Sequence, residues 1–276
     1  MGMTLSMPDT LWELFSANPH LTRELPSVAA SAIMIYGKVY KGIDVGVMPI
    51  LHTFNGKLEF NSHVHALVFA RDLRTRSQSE ESRIFFNNAI MRSWKRLVIA
   101  LLRTALHAGR LVSTLTNREL EHLLRREEGR WWSVHVRFFH SKEHFLLYAG
   151  RYARRPPIAE RRIQDVSNGL VSYWYKDKRL KRPVTVVCTV NEFIDRWAQH
   201  IPKRYRHTVR HCGIFAPRRW NQVVDATFLL SGQRRRPKPR RLRWNFSVQR
   251  LSGHDPLIDS KGCRMRFVKH LPPVAA

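Results

Sequence analysis

His63 and His65 flank Val64 in an apolar run that continues to Phe69, and Tyr148 and Tyr152 stand four apart well downstream. On a strand, residues two apart project to one face, so the two imidazoles can grip a single metal ion from a rigid platform. On a helix, residues four apart are neighbours, so the two phenols point the same way. A metal ion beside two aligned phenols suits the breaking of a phosphodiester bond through a covalent tyrosyl intermediate. Neither pair says this alone. With 14 His in 276 residues a His-x-His triplet arises readily by chance, and a second Tyr-x-x-x-Tyr stands at Tyr36 and Tyr40. Only the later pair runs into arginine, at Arg151 and then Arg154-Arg155-Pro156-Pro157.

The elements that would carry these residues are readable from local patterning. Pro8 to Leu25 predicts a helix capped by Asp9, and Ser27 to Tyr40 a second one closed by Gly42, with Val28, Ile33, Ile35 and Val39 toward a core. In that helix Tyr36 and Tyr40 have a packing role. From Ile43 the period changes to strand, Asn55-Gly56 predicts a hairpin turn, and the chain returns through the histidine pair as a buried central strand. Arg71 to Ser82 is polar and serine-rich and predicts a loop. Ser82 to His107 shows an amphipathic stripe of Ile84, Met91, Trp94, Val98, Leu101 and Ala105. A short helix capped by Asn117 and a strand from Trp131 to Phe139 follow. Ser141 would cap the tyrosine helix, which Arg155-Pro156-Pro157 must stop. Beyond it come a hairpin of Leu170–Tyr175 with Val184–Val190, a helix from Asn191 to about His200, and an edge strand from Thr208 to Phe215.

Composition narrows the partners. A formal charge of +27 opposes compaction unless a polyanion neutralises it, so nucleic acid is the expected partner. The basic residues are spread along the chain and not gathered on one amphipathic helix, and no apolar run is long enough to span a bilayer, which argues against a membrane partner. Cys188, Cys212 and Cys263 are few and widely spaced, which excludes a disulfide framework and a Cys-x-x-Cys zinc module and suits a reducing cytoplasm. Past Pro217 the patterning fades into a proline-broken basic tail, Arg234 to Arg243, expected to order only on phosphate. The expected organisation is therefore a helical segment at 1–42, a catalytic domain at 43–215 and a basic, partly disordered tail at 216–276.

Several segments, in order, resemble the two-tyrosine HUH rolling-circle insertion-sequence transposases. They are Leu51-His52-Thr53-Phe54, then Leu58-Glu59-Phe60-Asn61-Ser62-His63-Val64-His65-Ala66-Leu67-Val68, then Tyr148-Ala149-Gly150-Arg151-Tyr152-Ala153-Arg154-Arg155-Pro156-Pro157-Ile158-Ala159-Glu160, with a weaker echo at Val209–Arg218. The resemblance implies an α+β fold, an HUH-endonuclease-like central antiparallel sheet with helices packed on it. It implies a strand transferase that acts on single-stranded DNA at element ends in the bacterial cytoplasm, among the nucleoid. His63 and His65 would hold a divalent cation, Mg²⁺ or Mn²⁺. One tyrosine of Tyr148 and Tyr152 would attack to leave a 5′-phosphotyrosine and a free 3′-hydroxyl, and the other would handle the second DNA strand. No nucleotide cofactor is needed, since the covalent link stores the bond energy. Two imidazoles are an incomplete shell. His52, across the hairpin, is the candidate third ligand, with a packed core histidine as its competing role and Glu59 and Asn61 as other ligand choices. Arg151, Arg154 and Arg155 would meet DNA phosphate or, alternatively, the helix C-terminal dipole. His144 would orient Tyr148 or be a surface histidine. The chain departs from the family in lacking the cysteine-rich zinc module that usually precedes this region, and in carrying Phe69-Ala70-Arg71-Asp72-Leu73 after the histidine strand where glycine is usual. The competing readings are an inactive transposase fragment and a non-catalytic basic nucleic-acid binder.

Overall fold

Met3 and Leu5 alternate with Gly2, Thr4 and Ser6, and this period of two is the start of the sheet that organises the site. In the computed structural model, which describes residues 1–70, 87–139, 141–153, 156–177, 180–202, 207–219, 224 and 243–266, strand β1 covers Gly2–Ser6. It lies between β3 (Phe60–Ala70) and β4 (Val134–Arg137), antiparallel to both. The other flank of β3 pairs antiparallel with β2 (Val45–Phe54), and β2 with the short β8 (Cys212–Gly213), giving the order β4-β1-β3-β2-β8. The expected α+β class with an antiparallel central sheet is therefore what the chain adopts.

One face of this sheet is the main core. Met3, Leu5, Val45, Val47, Val64, Ala66 and Val68 pack there against helix α3 (Leu25–Lys41) and helix α4 (Asn87–His107). In α3 the buried side is Ala29, Ala30, Ala32, Ile33, Tyr36 and Gly37. Tyr36 packs as expected, but Tyr40 and Val39 are exposed and Ile35 lies at the edge of exposure, because small alanines rather than branched side chains let α3 approach the strands closely. Gly42 takes the left-handed conformation at φ 65° and closes α3 as expected. The α4 stripe holds with Met91, Trp94, Val98 and Ala105 buried, and Trp94 Nε1–H donates to the Ser6 carbonyl at 3.0 Å, so α4 is tied to β1.

Other expectations shift in detail. The stretch from Pro8 is not one helix: a 3-10 turn at Asp9–Leu11 leads into α1 (Trp12–Ala17) and then α2 (Pro19–Thr22). Pro19 excludes helical backbone at Asn18, whose buried amide instead ties Leu14 to Val112. Helix α5 (Asn117–Gly129) is capped by Thr116 in a reciprocal pair with Glu119, not by Asn117. The expected strand at Trp131–Phe139 shortens to β4. The expected edge strand at Thr208–Phe215 reduces to β8 and a bridge of Val209 to Ile50. Ile84 and the Arg71–Ser82 loop lie outside the described residues, as does the basic run from Arg234 to Arg241.

A second, three-stranded sheet contains the expected hairpin, β6 (Leu170–Lys176) with β7 (Pro183–Thr189), plus β5 (Ile163–Ser167), which the sequence pattern did not mark. Its core is Ile158, Val171, Tyr173 and Cys188, next to helix α7 (Val190–Ala198), and it receives Leu58 from the tip of the β2–β3 hairpin. Leu58 is fully buried at φ 63°, a backbone conformation that side chains rarely adopt. Tyr173 Oη donates to the Lys57 carbonyl at 2.8 Å, Arg162 to the Gly56 carbonyl, and His200 Nε2–H to the Leu58 carbonyl at 3.1 Å. The hairpin that carries the histidines is thus anchored at its tip by another sheet. Everything so far lies in one compact unit, Met1–Val224. The unit Asp225–Ala276 holds helix α8 (Trp244–Ser252), closed by Gly253 at φ 76°, in a stretch where the sequence suggested no regular element. No described helix is long and apolar enough to cross a membrane.

Candidate active site

The sheet face opposite the main core carries the polar residues. Partners across antiparallel strands share a face, and the register makes two rows of them. Thr4 stands opposite His65, which stands opposite Ile50; Ser6 stands opposite His63, which stands opposite His52. A two-residue turn at Asn55-Gly56 would have set His52 opposite Glu59. The turn is instead Gly56-Lys57-Leu58, with Leu58 left-handed and the Asn55 side chain accepting from the Lys57 and Glu59 amides, and a register shift follows between His52 and Phe54. Together they move His52 beside His63.

The consequence is a cluster of three imidazoles. His52, His63 and His65 each bring a ring nitrogen within 4.8 Å of the others, and they form the one such metal-competent group among the described residues. His52 and His65 are buried and His63 half-buried. Hydrogen bonds help orient the rings: His52 Nε2–H donates to the Tyr152 carbonyl at 3.0 Å, His63 Nδ1–H to the Asn61 carbonyl at 2.9 Å, and His65 Nδ1 meets Thr4 Oγ1 at 3.1 Å. An imidazole that carries its proton on the hydrogen-bonded nitrogen can serve as a ligand through the other, the usual arrangement around histidine ligands. The donor set and its orientation therefore fit a divalent metal. Glu59 is engaged with Asn55 in the turn, and Asn61 serves through its carbonyl to His63.

Helix α6 (Lys142–Ala153) lies over this face, its first turn capped by Ser141, whose hydroxyl accepts from the His144 amide at 3.2 Å. Its two tyrosines are in contact, 4.4 Å between ring centres, yet their surroundings differ. The Tyr152 ring lies 3.9 Å from His65 and 5.9 Å from His52, and it borders a cavity of about 710 Å³ shared with His52, Phe54, Gln199 and His200. Tyr148 is buried among Ile50, Leu67 and Phe139, outside that cavity lining, with its hydroxyl toward Thr4. Burial pushes the Tyr148 phenol up to about 12, reinforced by Tyr152 and opposed by the Thr4 hydroxyl and the charge of Arg137. His144 and Arg151 are exposed on α6, and Arg154 and Arg155 lie outside the described residues.

Sequence reasoning missed Gly2, Thr4 and Arg137, all on strands beside the tyrosine helix. The alternation of Gly2, Thr4 and Ser6 with Met3, Leu5 and Met7 was the available signal. Gly2 is the seat of Tyr148: a Cβ there would stand 2.5 Å from Tyr148 Cε1 and 2.6 Å from Cζ. Gly2→Ala should therefore destabilise the protein by about 1–3 kcal/mol, the usual cost of overpacking. In a Tyr148→Ala background, where the ring is gone, the same substitution should cost almost nothing. Urea unfolding of the four proteins checks this, and equal costs in both backgrounds would refute the seat.

Comparison with known proteins adds an independent line. A family model described as "Putative transposase" (Y2_Tnp) matches residues 46–222, which include all three histidines and both tyrosines. The transposase for insertion sequence element IS801 of Pseudomonas savastanoi pv. phaseolicola is 28% identical over 238 residues, 82% of this chain and 56% of that protein. The "Putative transposase y4qJ" of Sinorhizobium fredii (strain NBRC 101917 / NGR234) is 25% identical over 189 residues, 64% of this chain and 48% of that protein. The chain thus spans about half the length of the curated relatives it matches. No solved structure matches it.

Proposed function

This chain belongs to the Y2_Tnp family of transposases, the two-tyrosine HUH type, and from that premise we propose that it cuts and rejoins single-stranded DNA through a 5′-phosphotyrosine. The observation that carries the reading is the meeting of three imidazoles with the Tyr152 ring, 3.9 Å from His65, at the edge of a cavity. The paired histidines on a central antiparallel strand, under a helix that bears both tyrosines, support an HUH-endonuclease-like core that takes in strand β1 as well as the span 43–215.

His52, His63 and His65 would hold the divalent cation. When bound, it neutralises the scissile phosphate and the charge that develops on its oxygens. A donor set of three imidazoles suits Mn²⁺ better than oxygen-seeking Mg²⁺. Tyr152 is the first nucleophile: its Oη forms the bond to phosphorus as the bond from phosphorus to O3′ breaks. The phenol gives up its proton and the leaving O3′ gains one, so the products are a 5′-phosphotyrosine and a 3′-hydroxyl. Rejoining reverses these changes when a 3′-hydroxyl attacks the phosphotyrosine. Tyr148, one turn away, serves the second DNA strand. Arg151, Arg154 and Arg155 contact phosphates along the path of the DNA, consistent with the net charge of +27.

The test is a single-stranded oligonucleotide drawn from an element end, incubated with the protein and Mn²⁺ and resolved under denaturing conditions. A protein–DNA adduct that chelator abolishes is expected. Salt-sensitive binding with no adduct under any metal condition would replace this reading with that of a non-catalytic binder.

A further inference from the structure

Strand β1 does more than complete the sheet. Thr4 stands directly opposite His65 in the β1–β3 register, 3.1 Å from its Nδ1, and the same hydroxyl faces the Tyr148 phenol, whose Oη a Cβ on Gly2 of the same strand face would meet at 2.9 Å. We infer that Thr4 is the positioning residue of the site: one hydroxyl holds the imidazole of His65 and the phenol of Tyr148 together, coupling the metal-holding strand to the second tyrosine. This rests on the proposed metal and tyrosine roles and goes beyond them, since Thr4 lies outside the span 46–222 that the family model matches.

The direction of the hydrogen bonds follows from the chemistry of imidazole. A His65 ring that offers Nε2 to a cation carries its proton on Nδ1, and that N–H donates to Thr4 Oγ1. The hydroxyl's own proton is then left to donate to Tyr148 Oη. A donor aimed at a phenol oxygen favours its ionised form, in keeping with the lowering influence of Thr4 on a phenol that burial otherwise pushes up. Thr4 thus does two things at once: it turns the His65 lone pair toward the ion, and it presents a proton to the oxygen that must act as the second nucleophile. Gly2, two residues earlier on the same face, leaves the space in which the Tyr148 ring reaches that hydroxyl.

The experiment compares wild type with Thr4→Val, which keeps the shape and strand preference, Thr4→Ala as a second variant without the hydroxyl, and Thr4→Ser, which restores it. Mn²⁺ affinity is measured by calorimetry without DNA, and the adduct is mapped by peptide mass spectrometry to Tyr148 or Tyr152. Loss of the hydroxyl should weaken Mn²⁺ binding by about 10–100-fold, the range for removal of a ligand's outer partner, and lower the share of adduct on Tyr148. Thr4→Ser should recover both. Wild type that binds Mn²⁺ while the folded Val or Ala variant binds it equally well, with an unchanged Tyr148 share, overturns the role of Thr4 alone. Wild type that binds no Mn²⁺ overturns the metal reading beneath it.

Discussion

Tyr152→Phe is expected to cut formation of the first covalent adduct by about 100-fold, whereas Tyr148→Phe should leave it largely intact. The two phenols share a helix and touch each other, so neither spacing nor residue type separates them. Their surroundings do. Tyr152 lies against His65 at the cavity edge, while Tyr148 is buried with its phenol pushed up to about 12. Against an ordinary phenol near ~10, that leaves Tyr148 with about 100-fold less phenolate at neutral pH. The residual adduct of Tyr152→Phe should map to Tyr148 and increase as pH rises. The folded state of Tyr148 favours the neutral phenol, so its contribution to stability is complete below the unfolded value near ~10 and is lost as pH rises through about 12. A pH series on this variant should therefore stop short of ~10, where the fold itself begins to lose that contribution. Adduct yield on a denaturing gel and peptide mapping read the result. If Tyr148→Phe abolishes the first adduct and Tyr152→Phe spares it, the assigned order is reversed.

The second large effect is on the metal. His63 is the least buried of the three imidazoles, so His63→Ala should disturb packing little while removing a ligand. Outer partners of ligating histidines already account for 10–100-fold in affinity, and loss of the ligand itself should cost at least ~100-fold. At a Mn²⁺ concentration ~100 times the wild-type Kd, linkage stabilises wild type by about 2.7 kcal/mol. The variant under the same conditions should gain only ~0.4 kcal/mol, because its ion is then merely at Kd. Chemical denaturation with and without Mn²⁺ measures both values. Equal stabilisation of the two proteins would remove His63 from the shell, and stabilisation of neither would remove the shell.

Much of the site was legible residue by residue. The shared face of His63 and His65 and the four-residue step between the tyrosines follow from periods of two and 3.6, and the Ser141 cap and the Gly42 stop from residue type at a helix end, all of which act over a few residues. His52 was legible only as a candidate across a turn. A turn of another length puts Glu59 in its place, and which length forms depends on Leu58 being drawn into the core of the second sheet. The kink at Asn18 was missed although Pro19 announces it, because the apolar spacing on either side reads as one continuous helix.

What the sequence by itself determined is therefore the set of candidate groups and the local face each one shares. What the tertiary structure alone decided is which of those faces meet and which group is covered. The bond between Thr4 and His65 spans 61 positions, and the one between His52 and the Tyr152 carbonyl spans 100. Contacts of that reach depend on strand order and turn register, and no local period encodes them. The two tyrosines carry identical side chains, and their difference in surroundings arises because β1 runs beneath one of them, where a glycine leaves room for the ring and burial raises the cost of charge.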